Sequence, residues 1–436
     1  MNPLSFHLRP PRAIAALLAV VLLALGAAGR ALAADPTVAR EVLVQLRSTA
    51  ALPPLLAKYQ LATVSSFGAR PIYRLQVVGP ANVDDTITAL LTEVDVLNAE
   101  PNVVHQTPEA RKNHAWAIGS PDDYQAQWAP AALHLAEAHT LATGAGVRVA
   151  VLDTGVDRSH PALAGRLRRG FDFVDFDNDP SEEGSIADEG FGHGTHVAGL
   201  IALVAPGAKI VPLRVLDRAG MGNAWVIAEA MLYAVDPDGD PLTNDGAKVI
   251  NLSLGSTSRT RLFDAIAKLT ACRIPAVPTP TEDYSDPGYN GDKARCNRFS
   301  GAVVVAAAGN GASRKQRQYP AAEGAYGLLA VAASNADSRL ADFSNFGNWI
   351  DIAAPGEGLT SAVPGGGYAV WSGTSMAAPM AAGTAALLRQ WRPGLTPVDI
   401  VRRLEDTSGM LCGTRLRIVD AAAALANRVP PAITCP

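Results

Sequence analysis

The chain has 436 residues, of which 48% are hydrophobic and 18% are charged, and its formal net charge is −4 at pH 7. This composition is globular and excludes a largely disordered chain, and the slightly acidic balance argues against a nucleic-acid partner. The length exceeds that of one ordinary domain, so two or three units are expected.

The N-terminus has the three parts of a secretory signal peptide. Two arginines precede the apolar run 13–28, and small residues suited to cleavage follow at 31–33. The alternative is a membrane anchor, but the run is shorter than the ~20 residues that span a bilayer, and Arg30 ends it. We therefore expect removal of residues 1–33, a secreted or periplasmic protein, and no membrane association after cleavage.

Residues 34–114 predict a small α+β unit of the ferredoxin-like kind. Alternating apolar residues indicate strands, and apolar spacings of three and four indicate helices. The predicted elements are a strand at 41–46, a helix at 52–60, a strand at 72–78, a helix at 83–94, and short extended pieces at 94–97 and 103–106. The polar stretch 107–114 has no periodicity and is interpreted as a linker with a processing site, or as an ordinary interdomain loop.

From about residue 147 onward, apolar strands alternate with helices. The predicted strands are 147–152, 209–216, 248–254, 302–308 and 327–333, with helices such as 224–235 and 261–271 between them. This pattern predicts an α/β fold in which a mostly parallel sheet is covered by helices on both faces. Functional side chains are expected at the carboxyl ends of its strands.

Four polar residues stand at such positions. Asp153 ends the first strand, His193 lies between two glycines, Asn310 follows a later strand, and Ser375 stands at the start of a predicted helix. Each alone could be a turn or cap residue. Together they offer a carboxylate to orient an imidazole, an imidazole to activate a hydroxyl, and an amide that could join the Ser375 backbone N–H in binding an oxyanion.

A metal site is the weaker interpretation of the histidines. His193 and His196 have no glutamate between them as in HExxH, and no third histidine or cysteine lies nearby. We therefore predict no metal ligand here and a structural role for His196.

The stretches VLDTGVD, GHGTHVAG, VVVAAAGNG and GTSMAAP, in this order, resemble the subtilisin family (subtilases). The resemblance covers roughly residues 115–427, which we assign to the catalytic domain, with 428–436 as a C-terminal tail. Residues 34–114 resemble the family's propeptide, an inhibitor and folding assistant.

The resemblance implies a role for each matching residue. Asp153 would orient His193, His193 would act as general base and then acid, Ser375 would attack the scissile carbonyl, and Asn310 would help to hold the oxyanion. The strand 251–255 resembles the family's substrate-binding strand, in which the pairing residues would be Ser253, Leu254 and Gly255.

The implied function is that of a secreted, monomeric serine endopeptidase that acts on polypeptides. It would be made as a zymogen that binds and cleaves its own propeptide. The competing hypothesis is a peptide-binding protein on an inactive protease scaffold. Such a protein would usually lack a catalytic residue, and here all four positions are filled.

The sequence departs from the family where many members bind calcium. The helix after His193 runs on without the usual calcium-loop insert, and Ala162 stands where the family often has a ligand aspartate. We therefore expect no cofactor in the chemistry and no strong calcium site of the usual kind, although structural calcium elsewhere is possible. The acidic segment 172–189 is a different calcium site, a negative wall that favours basic substrates, or a solvated loop.

Export would place the four cysteines in an oxidising compartment, where disulfides are expected. Four cysteines allow three pairings. Cys272–Cys296 and Cys412–Cys435 are favoured because each closes a local loop.

Overall fold

The computed structural model describes residues 35–68, 70–109, 117–239, 243–272, 301–325 and 327–435. The predicted signal peptide, and Cys296 with the pairing proposed for it, lie outside the described residues. Residues 35–436 form one compact unit.

The N-terminal part is ferredoxin-like, as the sequence predicts. Its elements are β1 (Thr37–Leu46), α1 (Leu52–Tyr59), β2 (Leu61–Ser66), β3 (Ile72–Val77), α2 (Val83–Leu90) and β4 (Val96–Gln106). The strand order is β2-β3-β1-β4 with antiparallel pairing throughout. Apolar residues of this sheet pack with α1 and α2 to form a separate core.

Three local predictions in this part need correction. The sequence does not predict strand β2, because LATVSS alternates only weakly and most of its side chains are not buried. The helix predicted at 83–94 ends at Leu90. The two pieces at 94–97 and 103–106 are a single strand, which continues because its last residues gain a second partner strand, 221–223.

The remainder of the described chain builds the second, larger core. Its strands are β5 (Ala117–Gly119), β6 (Arg148–Asp153), β7 (Phe171–Asp172), β8 (Lys209–Arg214), β9 (Met221–Asn223), β10 (Val249–Leu252), β11 (Val303–Ala307), β12 (Leu328–Ser334), β13 (Ile352–Pro355), β14 (Leu359–Val363), β15 (Gly367–Trp371), β16 (Gly409–Met410) and β17 (Arg417–Ile418). Its helices are α3 (Pro121–Ala126), α4 (Trp128–Ala132), α5 (Leu135–Ala138), α6 (His193–Val204), α7 (Ala224–Val235), α8 (Arg261–Cys272), α9 (Thr374–Trp391), α10 (Pro397–Asp406) and α11 (Ala421–Ala426).

The central sheet has nine strands in the order β16-β17-β13-β12-β11-β10-β6-β8-β7. All neighbouring pairs are parallel except β16–β17. The predicted α/β fold with a mostly parallel sheet is confirmed. A separate antiparallel sheet has the order β14-β15-β5.

Helices cover both faces of the central sheet, because its side chains alternate between two buried clusters. Val149 and Val151 of β6 belong to the cluster that contains α6, α9 and α11. Ala150 and Leu152 of the same strand belong to the cluster that contains α7 and α8. Burial on both faces explains why these strands are continuously apolar in sequence.

The C-terminal tail is tied to this domain by the disulfide Cys412–Cys435, which confirms that predicted pairing. In the part of the chain that the structure describes, no helix combines the length and apolar character needed to cross a membrane.

Candidate active site

Asp153 is the last residue of β6 and is fully buried. Its Oδ1 atom lies 2.6 Å from His193 Nδ1 and accepts a hydrogen bond from the Thr154 backbone N–H at 2.8 Å. His193 is the first residue of α6. The glycine on its C-terminal side, Gly194, allows this contact, since a Cβ there would overlap the Gly155 carbonyl oxygen and press against the Asp153 side chain.

Ser375 is the second residue of α9 and is also fully buried. Its surroundings explain the proline in this helix. Pro379 has no N–H, so the Ser375 carbonyl oxygen, four residues earlier, receives no helical hydrogen bond. That oxygen instead accepts a hydrogen bond from Ser253 Oγ at 2.8 Å. The start of α9 is thereby fixed to the segment that follows β10.

Asn310 follows β11 and is held against the start of α9. Its Oδ1 atom accepts hydrogen bonds from the backbone N–H and the hydroxyl of Thr374, both at 2.9 Å. These two bonds set the orientation of the amide, so that Nδ2 points into the site. The donor is therefore fixed in place before any substrate arrives.

Glu109 occupies the centre of the site. Its side-chain carboxylate accepts hydrogen bonds from Ser375 Oγ at 2.6 Å and from Asn310 Nδ2 at 2.7 Å. His193 Nε2 lies 3.3 Å from the same carboxylate, and both side chains are almost fully buried. The structure thus brings His193, Ser375 and Asn310 around one negatively charged group, with Asp153 behind His193.

Sequence reasoning misses Glu109, and no local signal marks it. It is one charged residue in a polar stretch whose composition is that of a linker. Only the path of β4 across the domain carries it into the site.

The buried charges shift each other's pKa values. Burial opposes the positive charge on His193, but the Asp153 and Glu109 carboxylates outweigh burial and raise the His193 pKa to about 10. Burial also opposes the negative charge on Glu109, but His193, Ser375 and Asn310 outweigh it and lower the Glu109 pKa. With Glu109 in place, an imidazolium therefore faces a carboxylate at neutral pH.

The predicted substrate-binding residues lie beside the chain that leads to Glu109. Gly255 and Gln106 exchange both backbone hydrogen bonds, at 2.9 and 3.0 Å. Leu254 is fully buried, and Ser253 contacts Ser375 through its side chain. On the other side, the end of β4 pairs with β9, so this chain is an extended strand between two backbone partners.

His196 lies one turn further along α6 and points to a different part of the domain. Its Nε2 atom is 3.1 Å from the Ala369 carbonyl oxygen, and its ring stacks on Trp371 with the centroids 4.5 Å apart. Burial lowers its pKa to about 3, so the ring is neutral. These contacts describe a structural histidine.

The acidic segment carries its own cation. Carboxylate oxygens of Asp172, Asp175 and Glu183 lie within 4.8 Å of one another. Arg214 forms ion pairs with all three, at 2.6, 2.6 and 2.8 Å. The guanidinium therefore already supplies positive charge at this point. A second acidic cluster, Asp236, Asp238 and Asp245, is partly exposed.

The two positions considered above for calcium are helical in the structure. Helix α6 runs without interruption to Val204, and Ala162 lies in a short 3₁₀ helix and has no side-chain oxygen. The absence of the usual strong calcium site stays a prediction.

Comparison with known proteins identifies the family of the chain. The Subtilase family model matches residues 144–428. The chain is 37% identical over 335 residues to a thermophilic serine proteinase of Bacillus sp. (strain AK1). The aligned region covers 74% of this chain and 71% of that protein. It is 36% identical over 299 residues to thermitase of Thermoactinomyces vulgaris, which covers 66% of this chain and 90% of that protein.

Two solved structures are similar. Fervidolysin from Fervidobacterium pennivorans aligns with a TM-score of 0.69 and 24% identity. The alignment covers 90% of this chain and 62% of that chain, and at this identity the likeness shows the fold alone. A protease from Pseudoalteromonas arctica aligns with a TM-score of 0.57 and 31% identity, over 71% of this chain and 99% of that chain. The chain therefore belongs to the subtilase family and is a serine endopeptidase.

Proposed function

We propose that this endopeptidase works through Asp153, His193 and Ser375 and is secreted as a zymogen that cleaves its own prosegment. The observation that carries the proposal is the convergence of Ser375 Oγ, Asn310 Nδ2 and His193 Nε2 on one carboxylate, with Asp153 Oδ1 2.6 Å behind the imidazole.

In the proposed mechanism, a substrate carbonyl takes the place of the Glu109 carboxylate. His193, in its neutral form, accepts the Ser375 proton and later returns it to the leaving amine. Asp153 keeps the proton on Nδ1, so that Nε2 is the base. Asn310 Nδ2 then donates to the oxyanion, and in subtilisin the loss of such a donor costs about 10²–10³ in kcat.

The substrates are polypeptides, as the family implies. We propose that they bind in extended form between Gly255 and the chain near Gly220, in the manner of the residues that precede Glu109. Gln106 exchanges two hydrogen bonds with Gly255, and the Thr107 N–H donates to Gly220 O at 3.1 Å. Backbone pairing of this kind suits peptides of varied sequence.

The zymogen proposal rests on the same contacts. In the intact chain, Glu109 binds the serine, the asparagine and the histidine at once, which leaves no room for a substrate carbonyl. Residues 34–114 would therefore act as the inhibitor until the chain is cut after Glu109 or close to it. We also propose export by residues 1–33, a monomeric mature enzyme, and chemistry that needs no cofactor.

Ser375→Ala in the full chain tests the proposed nucleophile. We expect loss of peptide hydrolysis and retention of the prosegment, measured by casein hydrolysis and by mass spectrometry of the purified protein. A serine-directed phosphonyl fluoride should label Ser375 of the wild-type enzyme. Normal trimming of the variant would show that another protease removes the prosegment.

A mature, folded, prosegment-free sample gives a further test of the proposed triad. Casein left intact and Ser375 unlabelled in that sample would contradict the roles proposed for Asp153, His193 and Ser375.

A further inference from the structure

Glu182 is a buried carboxylate that the proposed mechanism does not use. Its Oε1 atom accepts a hydrogen bond from Thr154 Oγ1 at 2.5 Å. Its Oε2 atom accepts from the hydroxyl of Thr195 at 2.7 Å and from the Thr195 backbone N–H at 3.2 Å. Thr154 directly follows Asp153 at the end of β6, and Thr195 lies in the first turn of α6. One carboxylate thus bridges the two elements that supply Asp153 and His193.

The remaining bonds of the two hydroxyls fix their orientation. Thr154 Oγ1 accepts a hydrogen bond from the Gly194 N–H at 3.0 Å. Thr195 Oγ1 accepts from the Asp157 N–H at 2.9 Å. Each threonine hydroxyl has a single proton, and with these acceptor positions filled, each proton is directed at Glu182.

The proton of Thr154 has an alternative acceptor. Its Oγ1 atom also lies 3.4 Å from Asp153 Oδ1, the oxygen that contacts His193. While Glu182 accepts the proton at the shorter distance, Asp153 Oδ1 is left to the Thr154 backbone N–H and His193. Without an acceptor at Glu182, the hydroxyl can turn to Asp153. An added donor there stabilises the aspartate charge and weakens its pull on the imidazolium.

The Glu182 carboxylate is buried, and its pKa is shifted from the ordinary value. Burial raises its pKa to about 7 against the hydrogen bonds from the threonines, and the charge of Asp153 adds to the increase. An isolated buried carboxylate is unfavourable. Here the carboxylate is held by donors from Thr154 and Thr195, which adjoin Asp153 and His193 in the chain.

We propose that Glu182 is a positioning residue, whose carboxylate joins Thr154 to Thr195 and thereby leaves Asp153 free to orient His193. This proposal rests on the proposed triad. Glu182 would act through Thr154 and Thr195 rather than on the substrate.

Glu182→Gln tests the proposal, with Glu183→Gln as the matched control. Both substitutions remove one negative charge from neighbouring positions, but Glu183 pairs with Arg214 at 2.8 Å. A glutamine amide at position 182 can accept from one threonine and must present N–H donors to the other. The assay is hydrolysis of a peptide substrate by the mature enzyme from pH 5 to pH 10, with thermal unfolding measured in parallel.

For Glu182→Gln, we expect kcat to fall by about 10-fold, as for a small misplacement of catalytic groups, with KM unchanged. The acid limb of the kcat profile should move to lower pH, because His193 is less basic. Glu183→Gln should leave both unchanged. Equal kcat and equal acid limbs in the two variants would overturn the proposal, whereas an inactive wild-type enzyme that phosphonyl fluoride does not label would overturn the triad itself.

Thr154→Val keeps the proposal testable if Glu182→Gln does not fold. It removes the hydroxyl and leaves the Thr154 backbone N–H on Asp153. We expect a lower kcat with unchanged KM, because the link from the end of β6 to Glu182 is lost. The acid limb should stay at the wild-type position, because no hydroxyl remains at position 154 to donate to Asp153. Wild-type kcat in folded Thr154→Val would contradict the inference.

Discussion

Glu109 joins side chains that come from separate parts of the chain. The residues around it can be predicted from local patterns. Asp153 and Asn310 lie in short glycine-containing stretches after apolar strands, and His193 and Ser375 stand at the starts of apolar helices. Glu109 cannot be predicted in this way, because its position depends on backbone pairing of β4 with strands far away in sequence. Glu182 also looks like any other residue of an acidic segment, because its place in the site depends on hydrogen bonds to Thr154 and Thr195, which lie in other segments of the chain.

We predict that Glu109→Gln speeds maturation of the full chain. The substitution removes charge from hydrogen bonds to Ser375 and Asn310, and a hydrogen bond to a charged group is worth about 1.5–3 kcal/mol. The time course of prosegment release, followed by gel electrophoresis, should therefore shorten by about 10-fold.

Glu93→Gln is the control for that experiment. Glu93 lies in the same prosegment and pairs with Lys58 at 2.6 Å, away from the site. Its variant should mature at the wild-type rate. Equal rates for the Glu109 and Glu93 variants would show that the carboxylate does not restrain the enzyme.

We predict a strongly basic His193 in the intact zymogen. In full-length Ser375→Ala, NMR titration of the imidazole nitrogens should give a pKa well above the ordinary 6.5, near the value of about 10 that the two carboxylates produce. The additional change Glu109→Gln should lower it. The raised pKa means that the protonated imidazole fully stabilises the state with Glu109 in the site below the ordinary histidine pKa of 6.5, and that this stabilisation is lost as the pH rises from there to about 10.

At low pH, the contact of Glu109 with the site has the opposite pH dependence, because it weakens as the pH falls. Because the pKa of Glu109 is lowered, its charge stabilises this state fully above the ordinary glutamate pKa, and the stabilisation is lost as the pH falls through the lowered value. A His193 pKa at or below the ordinary value in Ser375→Ala, with Glu109 intact, would contradict this account of latency.

At the scale of elements, the long apolar strands and helices are predictable from sequence, and the short or edge strands are not. The predicted strand 248–254 is shorter in the structure, β10 (Val249–Leu252), because the chain leaves the sheet at Ser253, whose side chain hydrogen-bonds to the start of α9. Strand β9 has only three residues and no periodicity, and it exists by pairing with β4. Periodicity reports burial on a regular face, so pairing made between distant segments leaves little trace in it.

Gly255→Ala should impair substrate binding at this element. An added Cβ would lie 2.6 Å from Gln318 Nε2, 2.7 Å from Gln318 Cγ and 2.8 Å from the Tyr319 carbonyl oxygen. The backbone must shift to relieve these contacts, which disturbs the pairing seen with Gln106. We expect KM of the mature enzyme for a peptide substrate to rise by about 10-fold, equivalent to roughly 1.4 kcal/mol.

Gly394→Ala is a matched control, because a Cβ there meets open space. It should leave KM unchanged. An unchanged KM in Gly255→Ala would mean that Gly255 does not pair with substrate.

At the scale of the whole molecule, the ferredoxin-like part, which is the proposed prosegment, contacts the rest of the chain beyond the candidate active site. Glu100 accepts hydrogen bonds from the backbone N–H groups of Arg261 and Leu262, at 2.9 and 3.1 Å, at the start of α8. Asn102 accepts one from the Trp225 N–H at 3.3 Å, at the start of α7. Helix N-termini carry unpaired donors and partial positive charge, so these contacts cap both helices. The ferredoxin-like part can be predicted from the sequence as a separate unit, but these anchoring contacts cannot, since neither residue belongs to a helix-start pattern in its own segment.

The Cys412–Cys435 disulfide holds the C-terminal tail against the domain. The bridge closes a sequence separation of 23 residues and holds the tail where Ile433 packs on a small cluster with Leu411 and Ile350. Restricting a loop of this length in the unfolded chain contributes about 3 kcal/mol to the free energy of unfolding. The double substitution Cys412→Ala/Cys435→Ala should lower that free energy by about this amount, measured by urea unfolding of Ser375→Ala protein to prevent autolysis.

Val429→Ser, at an exposed position of the same tail, should leave the unfolding free energy unchanged. The same measurement in EDTA tests whether calcium supplies the stabilisation instead. Because α6 runs without an inserted loop and Arg214 already pairs with Asp172, Asp175 and Glu183, we expect EDTA to have little effect on the intact disulfide form. Unfolding of the disulfide-containing protein in EDTA alone, together with an unchanged unfolding free energy in the Cys412→Ala/Cys435→Ala variant, would show that a bound cation rather than the disulfide stabilises the fold.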